Sequence, residues 1–189
     1  MNTIFTIVSG PSGSGKGTVL AEVLRIDPSF CIVVSHTTRP MLTGEVHGKE
    51  YHFVSKEQFM EIAKADGFLE YAKYNGNWYG TSLASLEEAT SRCDGKVILE
   101  IECKGAAQLR RNFDGRVFSV FIKATPEVLR ERLRRRGRDS EAQIAQRVRI
   151  SYDELRRELE YDCVIDNNGT VEYSAQSLID AIRKRKRNW

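Results

Sequence analysis

The chain has 189 residues, of which 41% are hydrophobic and 29% charged, a composition typical of a globular protein long enough to bury a core. The net charge of +3 is too small to predict nucleic-acid binding by itself, and no apolar run approaches the roughly 20 residues of a membrane span. The N-terminus MNTIFTIVSG lacks a signal-peptide pattern, so we expect a single-domain cytoplasmic protein with neither a membrane nor a nucleic-acid partner.

Short apolar runs rich in β-branched residues predict five β-strands, at residues 3–9, 30–35, 96–101, 116–124 and 162–166. Their hydrophobicity is nearly continuous rather than alternating, which is typical of strands buried on both faces. Helical patterns lie between and after these runs. Strands that alternate with helices predict an α/β fold with a parallel core sheet.

Three helical stretches have clear signals. KGTVLAEVLRI follows the first strand, and Thr125-Pro126-Glu127 is a typical helix start. A long amphipathic helix is predicted from residue 141 onward, with an apolar stripe of Ile144, Val148, Tyr152, Leu155 and Leu159. A last helix carries Ala175, Leu178, Ile179 and Ile182. The interval 36–92 interrupts this alternation, and its Gly, Tyr and charged residues indicate an inserted, partly antiparallel lobe.

The four cysteines are scattered and form no CxxC pair, so we expect reduced thiols. The three histidines lack zinc-type spacing, and no structural metal is expected. The basic end RKRKRNW is interpreted as a solvated helix end rather than a nucleic-acid site.

A glycine-rich segment follows the first strand directly and matches the G-x-x-x-x-G-K pattern of a phosphate-binding loop. Its residues are Gly10, Pro11, Ser12, Gly13, Ser14, Gly15, Lys16, Gly17 and Thr18. The glycines allow backbone N–H groups to point at phosphate oxygens, and Lys16 can reach the β- and γ-phosphates. The hydroxyl that would bind Mg²⁺ belongs to Thr18, one position later than in the commonest form. We therefore predict binding of a nucleoside triphosphate, ATP with Mg²⁺.

A phosphate loop does not by itself identify the phosphoryl acceptor. No N-K-x-D motif for guanine recognition by GTPases is present. SHTTRP, GEVHGKEYHFV, FLEYA, NWYGTS, VILEIECKGA, ERLRRRGRDSE and YDCVIDN occur in the order and with the spacing of the guanylate kinase family. The chain resembles that family over residues 3 to about 168.

The resemblance implies a P-loop NTPase-type parallel sheet core (about 1–35, 93–130 and 149–189), an inserted GMP-binding lobe (about 36–92) and a helical lid (about 131–148). The implied reaction is ATP plus GMP giving ADP plus GDP, with GMP or dGMP as acceptor. Whether the protein is a monomer or a homo-oligomer stays open.

The resemblance also implies the residues that bind GMP. The guanine would be bound by Ser35, Glu70, Thr81 and Glu102, and its phosphate by Arg39, Tyr51 and Tyr79. These types suit the ligand, because a carboxylate accepts from the N1 and N2 donors of guanine while a hydroxyl donates to O6. Adenine would leave Glu70 unpaired.

The remaining implied residues serve ATP and catalysis. Lys16, Arg39, Arg132, Arg136 and Arg147 would stabilise the charge that develops during phosphoryl transfer. Asn167 corresponds to a position near the adenine. Thr18 and Glu100 are the candidate Mg²⁺ ligands, Glu100 through water. Arg134, Arg135 and Arg138 are interpreted as solvated neighbours, and Gly137 as a bend in the lid.

The chain departs from the family pattern at two places. Leu42 stands where the family has a second phosphate-binding arginine, and Lys49 is a candidate substitute for it. The usual Asp-x-Asp followed by Gln-Gly is Glu100-Ile101-Glu102 followed by Cys103-Lys104-Gly105, and Lys104 has no assigned role.

Two alternatives remain at this point. One is a P-loop kinase with another acceptor, such as ribose 1,5-bisphosphate, which Leu42 keeps open. The other is a non-catalytic binding module like the guanylate-kinase-like domains of scaffold proteins, against which the intact phosphate loop argues.

Overall fold

The computed structural model describes residues 5–93, 96–113, 115–137 and 139–187, with residues 186 and 187 described by their backbone alone. Its strands are β1 (Phe5–Ser9), β2 (Cys31–Ile32), β3 (His36–Thr37), β4 (His52–Phe53), β5 (Phe68–Tyr74), β6 (Asn77–Ser82), β7 (Val97–Glu100), β8 (Val117–Lys123) and β9 (Cys163–Asp166). Its α-helices are α1 (Lys16–Ile26), α2 (Lys56–Lys64), α3 (Leu83–Arg92), α4 (Cys103–Asn112), α5 (Pro126–Arg135), α6 (Glu141–Leu155) and α7 (Val171–Arg187). The described residues form two compact units.

The first unit comprises Phe5 and Ser29–Val117. It contains the parallel pair β2–β7 and a four-stranded sheet in the order β4-β3-β6-β5. In that sheet β6 is antiparallel to both β3 and β5, whereas β3 and β4 are parallel. The partly antiparallel strand pairing predicted for residues 36–92 is thus present.

The predicted strand at 30–35 is shorter than expected, because the chain changes sheets within it. Val33 N–H still donates to Ile98 of β7 (2.9 Å), but Ser35 C=O accepts from His52 N–H (2.8 Å) in β4. This crossing places Ser35 at the start of the four-stranded sheet.

The second unit comprises Thr6–Pro28 and the described residues from 118 onward. Within it the strand order is β1-β8-β9, and β8 pairs with β9 in parallel. All of β1 is buried, as its continuous hydrophobicity predicts. The parallel pairs in both units confirm the predicted α/β fold with a parallel core.

The helices of the second unit begin and bury residues largely as predicted. Thr125 caps α5 with Pro126 at its first position, and the side chains of Ala175, Leu178 and Ile179 in α7 are completely buried. The stripe predicted for α6 is wrong at two positions: Tyr152, inside the α-helix, is 51% exposed, and Leu159, beyond its end, is 91% exposed. The α-helix ends at Leu155 and a 3₁₀-helix follows (Arg156–Glu160), whose tighter turn changes the direction in which side chains project.

The region predicted as a lid, 131–148, begins inside α5 and ends inside α6. These helices share a small buried cluster of Leu133, Ile144 and Val148. Gly137, between them, has φ +63°, a conformation that favours glycine and fits the predicted bend. Arg138 lies outside the described residues.

The prediction of four reduced cysteines is wrong for one pair. Cys31 of β2 and Cys93, directly after α3, form a disulfide with Cα atoms 6.0 Å apart. Packing of α3 on β2 brings these residues together, which their spacing in the sequence does not indicate. Cys103 and Cys163 take no part in a disulfide among the described residues. Among the described residues, no helix has both the length and the hydropathy required to cross a membrane.

Candidate active site

The phosphate loop of the second unit has the backbone curvature that its glycines predict. Gly10 and Gly15 have φ of +149° and +90°. A Cβ at Gly10 would lie 2.0 Å from the carbonyl oxygen of Ile122, so a side chain there is excluded by backbone as well as by conformation. Gly15 is the N-cap of α1, and the helix N-terminus therefore opens directly onto the loop.

Lys16 lies folded along this loop. Its Nζ donates to the carbonyl oxygens of Gly10 (2.6 Å) and Pro11 (3.3 Å), and the residue is only 8% exposed. The ammonium group is thereby held at the loop, where the charge of a bound polyphosphate would be concentrated. Thr18, two residues later, is exposed.

Arg132 and Asn167 brace the same loop. Arg132 donates to the carbonyl oxygens of Ser14 (3.0 Å) and Asn167 (2.7 Å), and the Asn167 amide donates to Ser14 as well (2.7 Å). Burial lowers the pKa of Arg132, and the charge of Arg135 adds to this effect. The Asn167 side-chain oxygen accepts from Ser174 (2.8 Å), so both polar ends of this side chain bind protein groups. These bonds attach Asn167 to the loop, and its placement near adenine stays a prediction.

The other predicted arginines have different surroundings. Arg147 donates to the Ser12 hydroxyl (2.6 Å) and forms an ion pair with Asp139 (2.5 Å), which ties α6 to the loop. Arg136 follows α5 and is exposed. Arg134 pairs with Glu141 (2.7 Å) at the surface, as expected of a solvated neighbour.

The first unit contains a cleft that gathers most of the residues predicted to bind GMP. It is lined by Ser35, Tyr51, Glu70, Ala72, Tyr79, Gly80, Glu100, Ile101 and Glu102. Thr81 lies behind this lining and is completely buried.

At one end of the cleft, a buried hydrogen-bond network joins Glu70, Thr81 and Ser35. Glu70 of β5 stands opposite Thr81 of β6, and its Oε1 accepts from Thr81 N–H (3.0 Å) and Oγ1–H (2.9 Å). Since Thr81 donates its proton to Glu70, the 3.1 Å contact between Ser35 Oγ and Thr81 Oγ1 is donated by Ser35. The network fixes one carboxylate oxygen of Glu70, Oε1.

The second oxygen of Glu70 lies against Gly105 on α4. A Cβ at residue 105 would lie 2.0 Å from Glu70 Oε2, so the absence of a side chain there creates the space for the carboxylate. In the sequence, Gly105 stands out only as part of the VILEIECKGA motif. Its role depends on a contact between residues 35 positions apart.

The cleft contains two carboxylate groups with buried oxygen atoms, those of Glu70 and Glu102. Burial raises the pKa of Glu70 from 4.5 to about 7; the hydrogen bonds from Thr81 oppose this rise and the Glu102 charge adds to it. Glu102 Oε2 is buried and has no hydrogen-bond partner in the described part of the chain. Two carboxylates with unused acceptor capacity suit a ligand that presents N–H donors.

The raised pKa predicts the pH dependence of this site. Below pH 7 Glu70 becomes protonated and can no longer accept two hydrogen bonds, so kcat/KM for GMP should fall about tenfold per pH unit. The linkage to stability has the opposite sign: a folded-state pKa raised from 4.5 to about 7 contributes stability that is present below 4.5 and lost as pH rises through about 7. Steady-state kinetics and thermal unfolding from pH 5.5 to 8.5 check both trends. A fall in activity that parallels a fall in stability at low pH would contradict the assignment to Glu70.

The other end of the site contains Arg39 beside tyrosines. The Arg39 guanidinium lies 5.5 Å from the ring centroid of Tyr51, and the Tyr51 and Tyr79 rings are 5.9 Å apart. Burial raises the pKa of Tyr51, reinforced by the charges of Glu100 and Glu102, so its hydroxyl stays protonated and able to donate.

Arg39 has a partner that sequence reasoning missed. Glu45 accepts two hydrogen bonds from the guanidinium, each 2.9 Å long, and these raise the pKa of Arg39 further. The same carboxylate accepts from Leu42 N–H (2.8 Å). The only signal in the sequence is an acid six residues after Arg39, in a glycine-containing turn.

Neither Leu42 nor Lys49 is placed as a second cation beside Arg39. Leu42 is 39% exposed. Lys49 has a side chain that is 76% exposed and lies 4.0 Å from Glu50, so the suggestion that it substitutes is not supported.

Comparison with known proteins agrees with this geometry. A loop with a buried lysine in one unit and an acid-lined cleft in the other are the features of a P-loop nucleotide kinase. The guanylate kinase family model matches residues 2–185. The chain belongs to the guanylate kinase family.

Individual relatives support the same assignment. Guanylate kinase from a strain of Prochlorococcus marinus is 41% identical over 165 residues, covering 86% of this chain and 88% of the relative. Guanylate kinase from Geobacter sulfurreducens is also 41% identical, over 87% of this chain and 81% of the relative. The crystal structure of guanylate kinase from Anaplasma phagocytophilum superposes with a TM-score of 0.78 at 28% identity, covering 97% of this chain and 86% of that one.

Proposed function

We propose that this chain transfers the γ-phosphoryl group of ATP to GMP, giving ADP and GDP. The observation that carries the proposal is the buried Glu70–Thr81–Ser35 network, which fixes one oxygen of Glu70 and leaves the other to accept from a ligand. Guanine presents N1–H and N2–H donors side by side, and adenine does not. The cytoplasmic location predicted from the sequence is part of the proposal.

In the second unit, the chain's own residues hold and stabilise the donor. Loop N–H groups and the N-terminus of α1 bind the ATP phosphates, and Lys16 supplies a positive charge at the β- and γ-phosphates. Arg132 and Arg147, both bonded to the loop, and the exposed Arg136 stabilise the charge on the transferred group.

ATP would bind with Mg²⁺, and the exposed Thr18 hydroxyl in the first turn of α1 is an oxygen ligand of the kind that this ion prefers. When bound, the ion neutralises phosphate charge. Glu100 is half-buried at the end of β7 and lines the cleft of the first unit, and its metal role stays a prediction.

In the first unit, GMP would bind with guanine at Glu70, Thr81, Ser35 and Glu102. Its phosphate would lie at Arg39, Tyr51 and Tyr79. Guanidinium and phenolic hydroxyl groups are strong donors to phosphate oxygens.

A coupled ADP-release assay tests the proposal, with Mg²⁺-ATP as donor and GMP, dGMP, AMP, UMP and ribose 1,5-bisphosphate offered separately. GMP should give the highest kcat/KM. Turnover with ribose 1,5-bisphosphate but not with GMP would establish the first alternative, and no turnover with any acceptor would favour the binding module. The comparisons support neither alternative.

The Leu42→Arg variant should lower KM for GMP by about tenfold, near the low end of the gain from a hydrogen bond to a charged group. Leu42 is 39% exposed, so the larger side chain does not disturb a core. The matched control is Met41→Arg, which adds the same charge at a neighbouring residue that is 53% exposed. Equal effects of the two variants would mean that local charge, rather than a phosphate contact from residue 42, lowers KM.

A further inference from the structure

The guanidinium of Arg39 is held in one orientation by a carboxylate to which the family resemblance assigned no role. Arg39 Nη1 and Nη2 donate to Glu45 Oε2 and Oε1, both at 2.9 Å. The side chains are only 20% and 15% exposed, so solvent screens this pair less than a surface ion pair.

The hydrogen bonds of Arg39 use three of the five N–H donors of its guanidinium. Nη1 donates to Pro40 C=O (2.8 Å) and to Glu45, and Nη2 directs one N–H to Glu45. A guanidinium has five N–H donors. The remaining two, on Nε and Nη2, lie along one side edge, and no acceptor among the described residues binds them.

The surroundings of the guanidinium limit its rotation. Its central carbon lies 5.5 Å from the Tyr51 ring centroid and 5.4 Å from that of Phe53. Glu45 Oε2 also accepts from Leu42 N–H (2.8 Å), so the same carboxylate fixes the turn that follows Arg39. Glu45 thus fixes both the orientation of the Arg39 guanidinium and the turn that follows it.

We propose that Glu45 is a positioning residue for the phosphate of GMP: it binds the end of the Arg39 guanidinium so that the Nε/Nη2 edge is presented to the phosphate. This inference rests on the proposed function. A planar, fixed fork is what distinguishes arginine as a phosphate ligand, and two parallel N–H donors bind phosphate only in the correct orientation. Because Leu42 offers no second guanidinium, the orientation of Arg39 matters more in this chain.

A second consequence of the same contact acts in the opposite direction. Glu45 also neutralises the charge of Arg39, and its removal would raise the positive potential at the phosphate. Orientation and charge therefore predict KM changes of opposite sign. We take orientation as the larger effect, since the contact is two-pronged and also organises the backbone at Leu42.

Steady-state kinetics of four variants test the proposal: Glu45→Ala, Glu45→Gln, Arg39→Ala and the double variant Arg39→Ala/Glu45→Ala. Glu45→Ala should raise KM for GMP about tenfold, while KM for ATP and the kcat at saturating GMP stay within about threefold of wild type. Glu45→Gln, which keeps one acceptor oxygen, should fall between Glu45→Ala and wild type. The double variant should have the KM of Arg39→Ala alone, because Glu45 acts through Arg39.

Glu50→Ala is the matched control. Glu50 accepts from Val46 N–H (2.7 Å) and so stabilises the same loop without bonding Arg39. If Glu50→Ala raises KM as much as Glu45→Ala, the effect is loop stability, and the proposal fails. It also fails if Glu45→Ala lowers KM, which would mean that Glu45 competes with phosphate, or if the two changes in the double variant are additive.

The wild-type assay separates this test from that of the proposed function. Wild-type protein that does not phosphorylate GMP would overturn the function itself. Wild-type turnover of GMP with unchanged KM in both Glu45 variants would overturn only the positioning role.

Discussion

Replacement of Lys16 by alanine is expected to lower kcat for GMP phosphorylation by about 10³-fold, the scale of losing one preorganised electrostatic donor. Lys16 Nζ is held by the carbonyl oxygens of Gly10 and Pro11, within the loop that would bind the phosphates. No other lysine lies in the loop segment 10–18, so its charge is not replaced within that segment.

The same substitution should leave the fold intact. Loss of the two hydrogen bonds to loop carbonyls should lower the free energy of unfolding by about 1–3 kcal/mol. This is less than the roughly 5–15 kcal/mol by which a typical domain is stable. ADP release measures the loss of activity, and thermal unfolding followed by circular dichroism measures the fold.

Lys56→Ala is the matched control for Lys16→Ala. Lys56 is likewise the first residue of a helix, but it is exposed and lies outside the loop. It should retain wild-type kcat. Wild-type kcat in Lys16→Ala would remove the lysine from the phosphate site.

Replacement of Glu70 by glutamine should reduce discrimination between GMP and AMP by about 10²–10³-fold, since an unpaired polar group in a dry site costs several kcal/mol. The glutamine amide places a donor against another donor in either of its two orientations. With its NH₂ in the place of Oε2, guanine donors would face a donor. With NH₂ in the place of Oε1, the backbone N–H of Thr81 would face a donor.

The ratio of kcat/KM values for GMP and AMP measures the effect of Glu70→Gln. The variant should also lose the fall in kcat/KM below pH 7, because it has no proton to gain. Glu61→Gln, at an exposed position of α2, is the control and should behave as wild type. An unchanged GMP/AMP ratio in Glu70→Gln would exclude Glu70 from guanine recognition.

Features that depend on consecutive residues were predictable. The phosphate loop occupies nine adjacent positions, 10–18, and its glycines have the backbone angles that the motif requires. Thr125-Pro126 starts α5 as predicted, since capping involves only residues three or four positions apart. Continuous apolar runs identified β1, β7 and β8 as buried strands for the same reason. The burial predicted for the runs at 30–35 and 162–166 is wrong in part, since β2 is half-buried and Val164 of β9 is 39% exposed.

Features that depend on distant partners were not predictable. The disulfide joins residues 62 positions apart, and the spacing of the cysteines in the sequence does not indicate it. The predicted stripe failed at Leu159 because a change from α- to 3₁₀-helix altered the period, which no local hydrophobic pattern signals.

The candidate site shows the same division. By itself the sequence determined which residue types are present: the loop with Lys16, the acid Glu70, the hydroxyls of Ser35 and Thr81, and Leu42 at an arginine position. Only the tertiary structure decided that Glu70 lies over Gly105 and that Glu45 binds Arg39. The physical reason is that burial, pKa and side-chain orientation are set by neighbours in space, and β5, β6 and α4 bring these neighbours together from separate parts of the chain.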